Sequence, residues 1–264
     1  MTDKKKHLAA ILKKEAPLAV ALSGGVDSAF LLAAAYEAVG DEVVALTSVS
    51  PLHPARERRA AAMVAAQIGA RQVEWPTRRL EVAEFTANTR NRCYICKKIL
   101  WAELWQAVAG LNLNSLADGL CLDDLDEVRP GVAAGREMGI SSPLVEAGLT
   151  KQEIVELARE AGLPVWNQPA NACLATRIPH GTDITVDRLA RIEAAESLLV
   201  DHGFSCCRVR ICGQTARIEV DPDMIEPLME KSMRQRILRG LVRLGFSRVA
   251  ADLGGYAGGS AESL

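Results

Sequence analysis

Residues 16–40 read APLAVALSGGVDSAFLLAAAYEAVG. The part up to Ser23 is a short apolar run of strand length, and the part from Ser28 is an alanine- and leucine-rich helical segment closed by Gly40. Between them lies Ser23-Gly24-Gly25-Val26-Asp27-Ser28. Two glycines let the backbone turn without Cβ clashes, so successive amides can point into one concavity, and the helix N-terminus adds its partial positive charge. That combination suits phosphate. It lacks the Gly-Lys-Ser/Thr ending of a Walker loop and the spacing of a dinucleotide fingerprint. The bland alternative is a tight strand-to-helix turn capped by Ser or Asp.

Working outward, the same rhythm repeats. DEVVALTSVS (41–50) reads as a strand, ARERRAAAMVAAQIG (55–69) as a helix and RQVEWP (71–76) as a strand. An amphipathic helix opens the chain, another spans Arg92 to Ala109, NSLADGL (114–120) is strand-like, and the acidic stretch CLDDLDEVRPG follows. KQEIVELAREAG (151–162) is a helix whose Thr150 and Glu153 have capping-box spacing. Periodicity is lost through WNQPANACLATRIPHGTD (166–183), which marks a loop and a seam. Beyond it come a helix (185–203), strands at 204–211 and 215–220, one long helix (222–245) and a strand (246–253). The fold class is therefore α/β: a Rossmann-like parallel sheet with helices on both faces in residues 1–180, and a smaller C-terminal α/β domain in residues 181–264.

Composition narrows the function. The 264 residues carry 31 basic and 33 acidic side chains, a net charge of −2, which gives no global reason to bind nucleic acid. The longest apolar stretches fall far short of the ~20 residues needed to span a bilayer, and Lys13, Lys14 and Glu15 break the opening segment, so no membrane partner and a cytoplasmic location are expected. Aromatic residues are only 4%, so the core must be built from Ala, Leu, Val and Ile; Trp101 and Trp105, four apart on one helix, belong to it.

Seven cysteines without a secretion signal argue against a disulfide framework. Cys93 and Cys96 in NRCYICKK share a helical face beside Arg92, Lys97 and Lys98, and read as half of a zinc site, a redox pair, metal ligands or two buried thiols. Cys173 lies in the loop after the sheet's last helix; three thiolates around a cubane would leave one iron open. Thr47 and Ser48 end the second strand on the sheet's carboxyl edge and are adenosine-side candidates by position. Asp123, Asp124, Asp126 and Glu127 are candidates to hold magnesium or orient substrate. If Gly213-Gln214 is a hairpin turn, Arg210 faces Arg217 and Arg208 faces Glu219 on one side, with Val209, Ile211, Ile218 and Val220 on the other. Facing arginines call for an anion, and a substrate phosphate would serve. Glu219 either pairs with Arg208 or binds a divalent metal; Arg177 either faces the nucleotide or caps its loop.

The SGGVDS turn resembles the pyrophosphate loop of the ATP pyrophosphatase (PP-loop) superfamily, with its adenine nucleotide alpha hydrolase-like fold. Together with RCYICKK, DGLCLDDLDEVRPG, PANACLATRIPHG and RVRICGQTARIEV, it resembles the LarE-like sulfur transferase family that matures the nickel-pincer cofactor of lactate racemase. The resemblance implies an ATP-dependent, pyrophosphate-forming enzyme that adenylates a carboxylate of a pyridinium mononucleotide and converts it to a thiocarboxylate. It implies that Ser23, Gly24, Gly25, Val26, Asp27 and Ser28 hold ATP, with Asp27 organising Mg2+, and that Arg208 and Arg210 take the substrate phosphate. Cys173 falls on the position of a sacrificial cysteine, and Cys93 and Cys96 add the pair with which some members carry a [4Fe-4S] cluster, the preferred route here. A homo-oligomer is also implied. The Tyr256-Ala257 and Ala261-Glu262 stretches depart from the family's usual ending. The alternatives are tRNA thiolation, for which Arg56-Arg58-Arg59 and the arginines at 234, 236, 239 and 243 speak, ATP-dependent amidation, and a nucleotide-sensing module without turnover.

Overall fold

The structure, a computed structural model, describes residues 2–125, 130–167 and 172–256. Asp126, Glu127, the PAN of residues 169–171 and the tail from Ala257 lie outside the described residues. The chain divides into two compact units, Met1–Phe85 with Arg90–Asn171, and Thr86–Thr89 with Ala172–Leu264.

The first unit runs α1 (Thr2–Glu15), β1 (Leu18–Ala21), α2 (Val26–Val39), β2 (Val43–Val49), α3 (Ala55–Ile68), β3 (Arg71–Pro76), α4 (Ala83–Thr86), α5 (Arg92–Gly110), β4 (Ser115–Ala117), α6 (Pro130–Glu137), α7 (Pro143–Glu146) and α8 (Lys151–Glu160). Its four strands are all parallel, in the order β3-β2-β1-β4. Alternation along the strands sets the layers. Leu18, Val20, Val43 and Ala45 pack with Leu12, Phe30, Leu31, Val64 and Leu157 on one face. Ala19, Leu46 and Leu116 point the other way, onto Leu100, Trp101, Leu104 and Val108 of α5. Both faces of the sheet are thus covered, as the near-continuous apolar strands require. Trp101 is buried there as expected.

The order places a topological switch between β1 and β4, because the chain winds outward from β1 through β3 and then returns to β1's other side. Ligands of open α/β sheets bind outside the carboxyl ends of strands at such a switch. The glycine turn follows β1, and Asp118-Gly119 follows β4.

The second unit holds α9 (Val186–Asp201), β5 (Cys207–Cys212), β6 (Thr215–Val220), α10 (Ile225–Met229), α11 (Lys231–Arg243) and β7 (Arg248–Ala251). β5 and β6 form an antiparallel hairpin and β7 joins β6 in parallel. Asn88 stitches the 86–89 segment into this unit, its side-chain amide donating to the carbonyls of Ile178, Pro179 and Thr182.

Two expectations change. The single helix expected over 222–245 is broken at Glu230, whose ψ of 137° is extended. Leu228 and Ile237 would stand on opposite sides of a continuous helix at ~100° per residue; the break lets both be buried. The residues after the acidic stretch form α6, missed because Gly131 and Gly135 weaken its helical signature.

Candidate active site

The turn after β1 is built on Gly24. Its φ is +88°, and a Cβ there would lie 2.6 Å from the carbonyl oxygen of Glu57, so only glycine fits between the turn and the start of α3. Ser28 folds the turn back: its hydroxyl accepts from the Ser23 amide at 3.2 Å and donates to the Gly25 carbonyl at 3.1 Å. Ser23 Oγ accepts from the Gly25 amide at 3.3 Å. Ser23 and Ser28 therefore shape the loop rather than project from it. Among the described residues the amides of Gly24, Val26 and Asp27 find no acceptor within the chain, the orphan donors expected at a helix start. Gly119, from the other side of the switch, comes so close that a Cβ would lie 2.8 Å from the Ser28 amide nitrogen. The result is an amide-lined notch at the N-terminus of the fourteen-residue α2, suited to an anion.

Asp27 enters that notch already paired. Lys151 Nζ lies 2.6 and 2.5 Å from its two carboxylate oxygens, and the Lys151 amide donates to Asp123 at 2.7 Å. The hard oxygens of Asp27 and Asp123 are of the type magnesium takes. Lys151 was not singled out from the sequence, although a signal exists: a lysine as the first residue of α8 opposes the helix dipole unless an anion is near. Around it, Thr150 and Glu153 make the expected capping box, and Glu153 also accepts from Lys4 at 2.7 Å. That donation and the Thr150 amide hold its carboxyl down at about 2.

On the carboxyl edge of β2, Thr47 is buried and spends its hydroxyl on the Leu22 carbonyl at 3.1 Å. Ser48 instead accepts from Arg79, a fully buried arginine that also reaches Cys96 Sγ at 3.4 Å. Cys96 is half-buried and Cys93 exposed, both in the first turns of α5. Cys121 is a different kind of thiol. Burial, aided by its hydrogen bond to Asp124, pushes it up to about 11, so it remains protonated and unreactive. Asp118, on the same edge after β4, is also pushed up by burial and accepts from Ser142 at 2.8 Å.

In the second unit the hairpin has the register its turn predicts, with Arg210 opposite Arg217 and Arg208 opposite Glu219. The anion between the facing arginines is the chain's own: Glu219 Oε1 accepts from Arg210 at 2.5 Å and from Arg217 at 3.0 Å. Glu219 thus pairs with Arg210 rather than Arg208, while its other oxygen, also buried, has no hydrogen-bond partner among the described residues. Arg208 is buried, stacks on Tyr256 at 4.5 Å and donates to the Cys207 carbonyl at 2.7 Å. This face is no solvated exterior.

Arg177 caps its loop. It pairs with Glu196 at 2.8 Å, both buried, and donates to the carbonyls of Ala172 and Cys173 at 2.8 and 3.2 Å. Those bonds fix the backbone that carries the half-buried Cys173.

Cys93 and Cys96 belong to the first unit and Cys173 to the second. Soft thiolates suit an iron–sulfur cluster, yet among the described residues no three His, Cys, Asp or Glu side chains are gathered as metal donors. Among the described residues no helix is long and apolar enough to cross a membrane.

Comparison with known proteins agrees with this architecture. The asparagine synthase family matches residues 6–103, the stretch that contains the glycine turn and the cysteine pair. An uncharacterized protein of Synechocystis is 37% identical over 240 residues, covering 91% of this chain and 90% of its own. The pyridinium-3,5-bisthiocarboxylic acid mononucleotide synthase of Lactiplantibacillus plantarum is 34% identical over 260 residues, 98% of this chain and 94% of that enzyme. An uncharacterized protein of Methanocaldococcus jannaschii is 30% identical over 174 residues, 66% of this chain and 67% of its own. A turn built to expose amides at a sheet's switch point, and similarity running nearly end to end, place the chain in the PP-loop family of LarE-like pyridinium-3,5-bisthiocarboxylic acid mononucleotide synthases.

Proposed function

We propose that this chain is an ATP-dependent sulfur transferase that adenylates a carboxylate of a pyridinium mononucleotide and exchanges the activated oxygen for sulfur, yielding a thiocarboxylate for a nickel-pincer nucleotide. The observation that carries the reading is the near full-length similarity to an enzyme named for that product, supported by a glycine turn that leaves amides at the start of α2 without an acceptor among the described residues. The first unit, in this reading, binds and splits ATP. The second recognises the substrate phosphate through Arg208 and Arg210, and the active species is a cytoplasmic homo-oligomer.

The substrate carboxylate attacks the α-phosphorus of ATP, and pyrophosphate leaves. The amides of Gly24, Val26 and Asp27 and the Lys151 ammonium stabilise the charge that moves onto it. Magnesium, when bound, would neutralise the polyphosphate, with Asp27 and Asp123 as its carboxylate ligands. The thiolate of Cys173 then attacks the acyl carbon and AMP leaves. Loss of the Cys173 α-proton with cleavage of its Cβ–S bond frees the thiocarboxylate and leaves dehydroalanine. In the cluster alternative, Cys93, Cys96 and Cys173 would hold an iron–sulfur cluster that supplies the sulfur when bound, and Cys173 would keep its own.

One turnover with ATP and a pyridinium carboxylate mononucleotide, followed by mass spectrometry of product and protein, tests this. The expected result is a thiocarboxylate, with Cys173 lighter by ~34 Da if it is sacrificed. An unchanged Cys173 together with iron and acid-labile sulfide in anaerobically purified protein assigns the sulfur to a cluster. Absence of pyrophosphate release with any such acid, or a tight, salt-sensitive complex with tRNA instead, overturns the reading.

A further inference from the structure

Among the described residues Arg79, Arg92, Arg177 and Arg208 are buried, and their surroundings differ; Arg208, for example, stacks on Tyr256 and donates to the Cys207 carbonyl. Arg177 has Glu196 at 2.8 Å, and Arg210, slightly more open, has Glu219 at 2.5 Å. Arg79 is 2% exposed and has no carboxylate among the described residues. Its contacts are Thr77 Oγ1 at 3.2 Å, Ser48 Oγ at 3.3 Å and Cys96 Sγ at 3.4 Å. The two hydroxyl contacts sit beyond the usual N–H···O distance of ~2.9–3.0 Å, whereas bonds from a cation to an anion are shorter. Its Nε is buried and has no hydrogen-bond partner among the described residues. A buried guanidinium held only by uncharged groups at long distance is an uncompensated charge, which proteins seldom retain without a use.

The surroundings give the ligand's chemistry. Ser48 and Thr77 lie at the carboxyl ends of β2 and β3, on the edge where this sheet binds ligands, and with Cys96 they are half-buried while Arg79 forms the floor. The planar fork of one guanidinium matches a carboxylate. We infer that Arg79, Ser48, Thr77 and Cys96 form a carboxylate-binding cup, and that Arg79 is the residue that docks a pyridine carboxylate beside Cys96. This rests on the sulfur-transfer reading for its substrate, but its test needs no turnover.

The probe is pyridine-3-carboxylate, added to metal-free protein during a short exposure to iodoacetamide. Alkylation of Cys96 is followed by peptide fragmentation mass spectrometry, with exposed Cys93 as the internal reference. An occupied cup shields Cys96. At a concentration about ten times its Kd, the probe slows alkylation about tenfold and leaves Cys93 unchanged. The uncharged amide, pyridine-3-carboxamide, leaves both rates alone. Arg79→Met abolishes the protection and Arg79→Lys keeps part of it. Equal protection by acid and amide, protection that survives Arg79→Met, or no protection up to ~50 mM, a probe excess that would fill even millimolar sites, overturns the inference. Should Arg79→Met fail to fold, the acid-against-amide comparison on the natural protein decides alone. Pyrophosphate release measured separately tells failure of the cup from failure of the sulfur-transfer reading.

Discussion

Lys151 reaches across the amide-lined notch to grip both carboxylate oxygens of Asp27, tying the first turn of α8 to the first turn of α2. With Lys151 40% and Asp27 25% exposed, the pair contributes at most ~1 kcal/mol to folding. In the proposed reaction its weight falls on chemistry. Lys151→Met is expected to leave the denaturation midpoint nearly unchanged and to slow pyrophosphate release about 10²-fold, the usual cost of losing one donor to developing charge. Release at the natural rate would remove Lys151 from the phosphate site.

Gly24 and Gly25 are adjacent yet unequal. Gly24→Ala places a Cβ against the Glu57 carbonyl in a left-handed conformation and should cost ~1–3 kcal/mol while abolishing pyrophosphate release. Gly25 has φ −84°, and its nearest outside atom is Ser23 Oγ at 3.5 Å, so Gly25→Ala should fold like the natural protein. Urea melts of the two variants check the contrast, and equal midpoints would refute it.

The Arg177–Glu196 pair supports the Cys173 backbone from within the second unit. Glu196→Gln leaves a buried guanidinium short of its counter-charge and is expected to cost ~3–5 kcal/mol. Replacing both by Arg177→Met with Glu196→Leu should recover much of that loss, less the bond that Glu196 Oε1 takes from the Val209 amide at 3.1 Å. A double-mutant cycle read by chemical denaturation measures the coupling, and additive losses would argue against it.

Acid should expose the capping box of α8. Donation from Lys4 and then from the Thr150 amide lowers Glu153 from the ordinary 4.5 to about 2. The folded state therefore prefers the ionised form. Its contribution is full above 4.5 and disappears as pH falls toward about 2, where the folded protein also takes up the proton. The stability difference between natural protein and Glu153→Gln should be flat from neutrality down to 4.5 and shrink below it. A difference that stays constant through that window would refute the assignment.

Elements with a strong local signature were legible. The glycine turn, the Thr150 capping box and the 207–220 register follow from turn chemistry and period-two alternation, which act within a few residues. The break at Glu230 was not legible, because it is enforced by the need to bury Leu228 and Ile237 together, a demand no local propensity records. Arg79 in PTRRLE carries no mark separating it from its neighbour Arg78; only packing buries one and exposes the other.

By itself, the order of amino acids determined the α/β architecture, the phosphate-shaped turn after β1 and the placement of opposed arginines on one face of a hairpin, since each depends on spacing along the chain. The tertiary structure decided the partners. Glu219 became the counter-ion of Arg210, Lys151 that of Asp27, and Cys96 the neighbour of Arg79, because which side chains meet is settled only when folding brings their separate elements together.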